Sequence, residues 1–207
     1  MLTIHHLGVS QSDRIVWLME ELGLPYKLVW HRRGEDRLMQ ADYLALHPAA
    51  TAPVVDDDGR MLSESTAIVE YICHKYAGGR LTVGPGAPNY FDYLYWLQLN
   101  NNMMGLQFGR IGLGEQTDGW AAGLFQRRAD GYARFVEQAL AAHPYLAGDE
   151  FTCADIMSAY SFRPRAILGA RDDMPNARAY MARIEARPAY IRAMALAGPE
   201  AQPPAGA

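Results

Sequence analysis

The chain has 207 residues, half of them hydrophobic, which suffices for one large core or two smaller ones. A formal net charge of -4 provides no basic field for phosphates, so nucleic acid and anionic membranes are excluded as expected partners. No apolar run approaches the ~20 residues of a membrane span and no basic-then-apolar leader opens the chain, so a cytoplasmic location is expected.

The chain begins with a short strand that passes through a serine-bearing turn into an amphipathic helix. Ile15, Leu18, Met19 and Leu22 recur at i, i+3, i+4 and i+7, and Gly23 with Pro25 ends the run. Ser10 stands three residues before Asp13, the spacing of a capping box, which places a hydroxyl where the helix's partial positive charge stabilises an anion. Residues 26–31 form the next expected strand, 32–40 a charged loop, and 44–48 a short helical turn ending at Pro48. Pro53-Val-Val, the acidic turn at 56–59 and Arg60-Met-Leu62 read as a hairpin. Ser65 then opens a helix carrying Ile68, Val69, Ile72, Cys73 and Tyr76 on one face. The order β-α-β-α-β-β-α fits a small α/β layer over residues 1–77.

Glycines and prolines at 78–88 break the pattern and mark a linker, after which every segment has helical periodicity. Helices are expected at 89 to about 110, 118–142, 153–168, 176–187 and 188–196, the whole forming an all-α domain over 89–196 with a disordered tail at 197–207. Asn100-Asn-Asn102, Gly105, Gly109 and Gly112 are poor helix formers, so the first of these helices is expected to bend or stop early. Thr152 and Asp155 form a second capping box, flanked by Phe151 and Ile156 at the hydrophobic-staple positions. The two cysteines lie inside helical patterns and suit a reducing compartment; the six histidines form no metal-ligand spacing, so no metal is expected.

Taken in order, the motif His5-His-Leu-x-x-Ser10-x-Ser-x-Arg14-x-x-Trp-Leu-x-Glu-Glu-Leu22, the Ala52-Pro53 step, Glu64-Ser65 and the F-T-x-A-D-I box resemble a soluble glutathione S-transferase of the serine-type bacterial and fungal branch. The resemblance covers residues 1–196. It implies a thioredoxin-like N-terminal domain that binds glutathione and an all-α helical-bundle C-terminal domain that forms the site of a small hydrophobic electrophile. It implies a detoxifying transferase that is a homodimer, with residues 90–96 available to the interface or, equally, to domain packing. The resemblance makes Ser10 the donor to the glutathione sulfur, with Ser12 two residues on as its competitor. A carboxylate at Glu64 suits the γ-glutamyl ammonium, and the Ser65 hydroxyl and helix start suit its carboxylate. Ala52 and Pro53 correspond to a cis-proline step that pairs with the cysteinyl part, and Arg37 and Gln40 are candidates for the glycine end. Thr51 replaces a lysine common in the family. Asn101 and Met104 belong to the stretch expected to face the electrophile. A glutathione-dependent lyase, dehalogenase or isomerase, or a non-catalytic glutathione-binding protein, shares these features.

Thr152→Ala is expected to cost about 1 kcal/mol or more, read as a lowered urea midpoint at unchanged slope.

Overall fold

The computed structural model describes residues 1–114, 118–163, 166, 168, 169 and 171–204. Contacts divide the chain into two units, Met1–Arg80 together with Glu185–Ala207, and Leu81–Ile184.

In the first unit, β1 (Leu2–Leu7), α1 (Asp13–Leu22), β2 (Tyr26–His31), α2 (Ala41–Leu44), β3 (Val54–Asp57), β4 (Arg60–Ser63) and α3 (Ser65–Ala77) follow the expected order. The sheet runs β2-β1-β3-β4. β1 and β2 are parallel, joined by the crossover through α1, while β3 runs antiparallel to β1 and β4 antiparallel to β3. This is a thioredoxin-like layer. Leu2, Ile4 and His6 of β1 are buried with α1 residues Ile15, Val16, Leu18 and Met19 and α3 residues Ile68, Val69 and Ile72. On the pleat's other side, Leu7 joins Tyr43 and Val54 in a cluster flanked by Met39, Leu46, Ala52 and Met61. The short helix forms at Ala41–Leu44, ahead of the 44–48 turn expected from Pro48. Asp57, buried at the end of β3, accepts hydrogen bonds from Lys75 at 2.6 Å, Tyr71 at 2.6 Å and Tyr76 at 2.5 Å, so the α3 face assigned to the core at Tyr76 is instead a polar anchor.

The last helix, α8 (Pro188–Ala197), packs on α1 and so completes the first unit. Trp17 meets Tyr190 edge-on at 5.0 Å. Arg187 grips Glu21 with Nε and one terminal nitrogen, at 2.6 and 2.8 Å, and Trp17 Nε1 donates to the same carboxylate at 2.9 Å.

The second unit contains α4 (Tyr90–Leu113), α5 (Gly119–Ala142), α6 (Cys153–Ser158), a 3-10 turn at Ala159–Phe162, and α7 (Pro175–Glu185), whose last residue lies in the first unit. α4 is one uninterrupted helix, against the expected bend or early stop: Leu99, Met103, Met104 and Leu106 are buried, and that packing outweighs the weak propensity of the asparagines and glycines. Gly109 has a local reason, since a Cβ there would come within 2.5 Å of the Phe125 ring on α5. The helix expected over 153–168 is shorter, with α6 yielding to the 3-10 turn; residues 164, 165 and 167 of that stretch lie outside the described residues. The second capping box forms: Asp155, fully buried, accepts from the Thr152 N–H at 2.8 Å, the Leu146 N–H at 3.0 Å and the Tyr180 hydroxyl at 3.1 Å. Residues 198–204 carry no helix or strand, and 205–207 of the tail lie outside the described residues.

The two ion pairs between α1 and the last helix differ in burial. Glu21 is 9% exposed beneath Arg187, whereas Arg192, which pairs with Glu20 at 2.7 Å, is 55% exposed. Arg187→Ala, which strands a nearly buried carboxylate, is expected to cost about 2–3 kcal/mol, and Arg192→Ala less than about 1 kcal/mol. Urea unfolding of the two variants checks the order.

Candidate active site

The strand directions bring four loops to one edge of the sheet. β1 and β2 end there together, Leu7 opposite His31, so the 8–12 turn and the 32–40 loop leave side by side. β3 begins there with Val54 opposite His5, and β4 ends there with Ser63 opposite Val54. The Ala52-Pro53 step and the Glu64-Ser65 helix start therefore flank the serine turn. At about 4.8 Å per strand, β1 to β4 spans on the order of 10 Å.

The serine turn is held from three sides. Val9 has a positive φ of 53° and is exposed. Arg33 Nε donates to the Gly8 carbonyl at 2.9 Å, and its terminal nitrogens donate to the carbonyls of Arg37 at 2.9 Å and Val9 at 3.4 Å. The first capping box does not form as expected: α1 begins at Asp13, the N-cap position falls on Ser12, and neither serine caps the helix with its side chain. The hydroxyls turn back toward the strand instead. Ser10 Oγ donates to the Leu7 carbonyl at 2.7 Å and accepts the Ser12 N–H at 3.2 Å. Ser12 Oγ accepts the Leu7 N–H at 3.2 Å and lies 2.8 Å from His6 Nδ1 and 2.7 Å from Ser10 Oγ. Ser12 is fully buried, while Ser10 remains partly exposed. Arg14 is buried as well and donates to the Gln11 side chain at 2.8 Å, a brace of the helix start.

Across β1, His5 Nδ1 lies 3.0 Å from His31 Nε2, and His31 Nδ1 lies 2.7 Å from Asp42 Oδ2. This chain ties β1, β2 and α2 together. Hydrogen bonding to His31 holds the Asp42 carboxyl below its ordinary value, and burial with the neighbouring His31 lowers His5. His6 on the other face is pushed down from 6.5 to about 4 by burial, so it is neutral at physiological pH.

The remaining candidate residues take distinct places. The Ala52–Pro53 bond is cis, and Thr51, exposed, has its hydroxyl 3.0 Å from that of Ser63. Glu64 is exposed with φ 71° and ψ 106°, an unfavourable backbone for a residue with a Cβ, of the kind that costs roughly 1–3 kcal/mol and clusters at functional sites. Glu64 occupies the N-cap position, and Ser65, buried, is the first helical residue, where the amides of the opening turn lack intrahelical acceptors. Arg37 is exposed at φ 64°, while Gln40 folds over Gly34 and donates to the Leu38 carbonyl at 3.3 Å. In the second unit, Asn101 is exposed on α4, whereas Met104 is buried. Sequence reasoning gave no role to Arg33, a loop arginine outside any motif, or to His6, which stands in the opening motif without a part assigned to it. Among the described residues no group of three or more His, Cys, Asp or Glu is placed to hold a metal, and no helix is long and apolar enough to cross a membrane.

The chain thus falls in the class of proteins that join a thioredoxin-like layer, here with a hydroxyl-bearing turn, a cis-proline step and a serine-opened helix on one edge, to a helical unit. Residues 10–75 match the glutathione S-transferase N-terminal domain and residues 126–188 the C-terminal domain. Glutathione S-transferase 3 of Zea mays is 32% identical over 201 residues, 88% of this chain and 87% of its own. Glutathione S-transferase 3 of Schizosaccharomyces pombe is 30% identical over 172 residues, covering 75% and 70% of the two chains. The crystal structure of a glutathione S-transferase from Actinobacillus pleuropneumoniae superposes with a TM-score of 0.88 at 30% identity, covering 97% of this chain and 95% of that one. The chain belongs to the glutathione S-transferase family and is a glutathione transferase.

The buried histidine makes stability pH-dependent. Between pH 6.5 and about 4 the unfolded chain takes up a proton that folded His6 refuses, so its contribution is complete above 6.5 and is lost as pH falls. Asp155, raised to about 6 by burial, acts in the opposite direction over this range, and Asp57, held below its ordinary value chiefly by the hydrogen bond from Lys75, matters only in stronger acid. In His6→Asn both carboxylates remain, so the loss of unfolding free energy between pH 7 and pH 5 is expected to be about 2 kcal/mol smaller than in the parent. Equal losses in urea titrations would show that His6 is not held neutral.

Proposed function

We propose that this is a serine-type glutathione transferase in which Ser10 stabilises the glutathione thiolate for attack on a small hydrophobic electrophile. The observation that carries the reading is the difference between the two serines: Ser10 is partly exposed at the sheet edge, and Ser12 is closed off behind it. A free thiol titrates near 8.5, so a hydroxyl aimed at sulfur raises the nucleophilic fraction at neutral pH. Ser10 keeps its proton. The thiol proton leaves to solvent, the thiolate electron pair forms the new C–S bond, and the leaving group departs with the pair of the bond that breaks.

The length of the edge fits the substrate. An α-linked tripeptide reaches ~10 Å when extended and the γ-linkage adds to that, so glutathione is longer than the β1-to-β4 separation and reaches from the α3 start past the serine turn toward the 32–40 loop. Glutathione lies along the edge with its cysteinyl backbone at Ala52-Pro53, its γ-glutamyl ammonium at Glu64 and its γ-glutamyl carboxylate at the Ser65 hydroxyl and the first amides of α3. Arg37 stands toward the glycine end; Gln40, already engaged within its loop, is the weaker candidate. Thr51, bonded to Ser63, supplies a hydroxyl where the family has a cation. A structure of a Pseudomonas fluorescens glutathione transferase family member carries two glutathiones, and its 23% identity with a TM-score of 0.75 supports the shared fold.

The electrophile reading is supported by Phe108 and Ile111 of α4 and Trp120 of α5, all large and exposed in the second unit. Asn101 adds an exposed amide to the same helix, while Met104 acts from within the core. The exposed aromatics Phe91, Tyr95 and Phe135 support a homodimer, and the two free, buried cysteines support a reducing compartment such as the cytoplasm.

Ser10→Ala is expected to bind glutathione and to lower turnover with a reactive aryl halide about 10- to 100-fold, the value of one hydrogen bond to a charged group. Unchanged turnover in Ser10→Ala overturns the assignment. Glutathione binding without a depressed thiolate midpoint in the parent favours the non-catalytic reading.

A further inference from the structure

We infer that His6 is a positioning residue for the thiol step: through the buried Ser12 hydroxyl it determines which way the Ser10 hydrogen points. The inference rests on Ser10 being the sulfur donor and adds two residues behind it.

Ser12 Oγ has two lone pairs and one hydrogen, and one lone pair accepts the Leu7 N–H at 3.2 Å. His6 is fully buried, Trp30 closes its ring edge-on at 4.3 Å, and Nε2 has no hydrogen-bond partner among the described residues. A buried N–H without an acceptor is rarer and more costly than a lone pair without a donor, so the proton of the neutral imidazole belongs on Nδ1. Nδ1–H then donates to Ser12 Oγ at 2.8 Å and fills its second lone pair.

Ser12 must now give its own hydrogen away. Ser10 Oγ is 2.7 Å from it and the Leu7 carbonyl 3.4 Å, so the stronger acceptor is Ser10. Ser10 Oγ thereby receives the Ser12 O–H and the Ser12 N–H, and both of its lone pairs are occupied. Its hydrogen can only be donated, to the Leu7 carbonyl at 2.7 Å at rest and to sulfur when a thiolate arrives. With the opposite tautomer Ser12 donates to His6 and draws the Ser10 hydrogen inward, in competition with the sulfur. Burial, which holds His6 neutral, keeps this direction constant across the working pH range.

The test reads the midpoint of thiolate absorbance of bound glutathione in His6→Leu, His6→Asn, Ser12→Ala and Ser10→Ala. His6→Leu and Ser12→Ala are expected to raise the midpoint by about one pH unit, roughly tenfold less thiolate below it, at little-changed glutathione affinity. His6→Asn, whose amide nitrogen can stand near the Nδ1 position, is expected to stay near the parent, and Ser10→Ala to show the largest rise. A rise in Ser10→Ala with none in His6→Leu and Ser12→Ala overturns the relay and leaves Ser10 in place; no rise in Ser10→Ala overturns the donor assignment itself. A rise in His6→Asn equal to that in His6→Leu also overturns the relay. Nitrogen NMR of the parent needs no variant to fold: a protonated Nδ1 and bare Nε2 on His6 are expected, and the reverse overturns the inference.

Discussion

The antiparallel pairing of β3 with β1 is the constraint on which the site depends. It sets Val54 against His5 and, through the hairpin, Ser63 against Val54. One register thus fixes where the chain enters β3 from Ala52-Pro53, where it leaves β4 into α3, and how far both lie from the serine turn. A slip of one residue reverses the faces of a strand, sending Val54 and Leu7 out of their shared cluster. The apolar pleat therefore enforces a polar geometry in which it takes no part.

That geometry needs a rigid support, and the protein builds it from polar groups in poor solvent. Arg33 gathers three loop carbonyls, His31 links His5 to Asp42, and Ser12 satisfies the Leu7 amide at the point where β1 ends. Each partner removed leaves a group facing a low dielectric, which makes such networks costly to disturb and effective at holding one conformation. The positive φ values at Val9, Arg37 and Glu64 all lie on loops at this edge.

The extent to which this was legible in sequence follows the range of the forces. The α/β order of the first unit and most helices of the second follow from apolar periodicity, and the Thr152-Asp155 box is local chemistry that forms as spaced. The Ser10-Asp13 spacing is the same pattern with another outcome, because the Leu7 carbonyl and Ser12 hold the Ser10 hydroxyl while the Leu7 amide and His6 hold that of Ser12, and these bonds cross from strand to turn. α4 persists through three asparagines because of side chains elsewhere in its unit, and propensity holds no record of them. Arg33 bears no local signature, and neither the bonds of His6 nor the positive φ of Glu64 can be read from the motifs that contain them; these exist only once β1, β2 and β4 are assembled.

The pairing of α8 with α1 makes the first unit discontinuous in the chain, its early part ending at Arg80 and its closing part resuming at Glu185. On the ribosome, residues 1–80 emerge with Trp17 and Glu21 still lacking Tyr190 and Arg187, and more than half of the chain must be made before those partners appear. The entire helical unit is synthesised in the interval. Assembly of the first unit therefore cannot proceed strictly from one terminus to the other; it waits on a loop closure spanning the other unit, the kind of distant contact that slows folding and prolongs exposure of an apolar helix face.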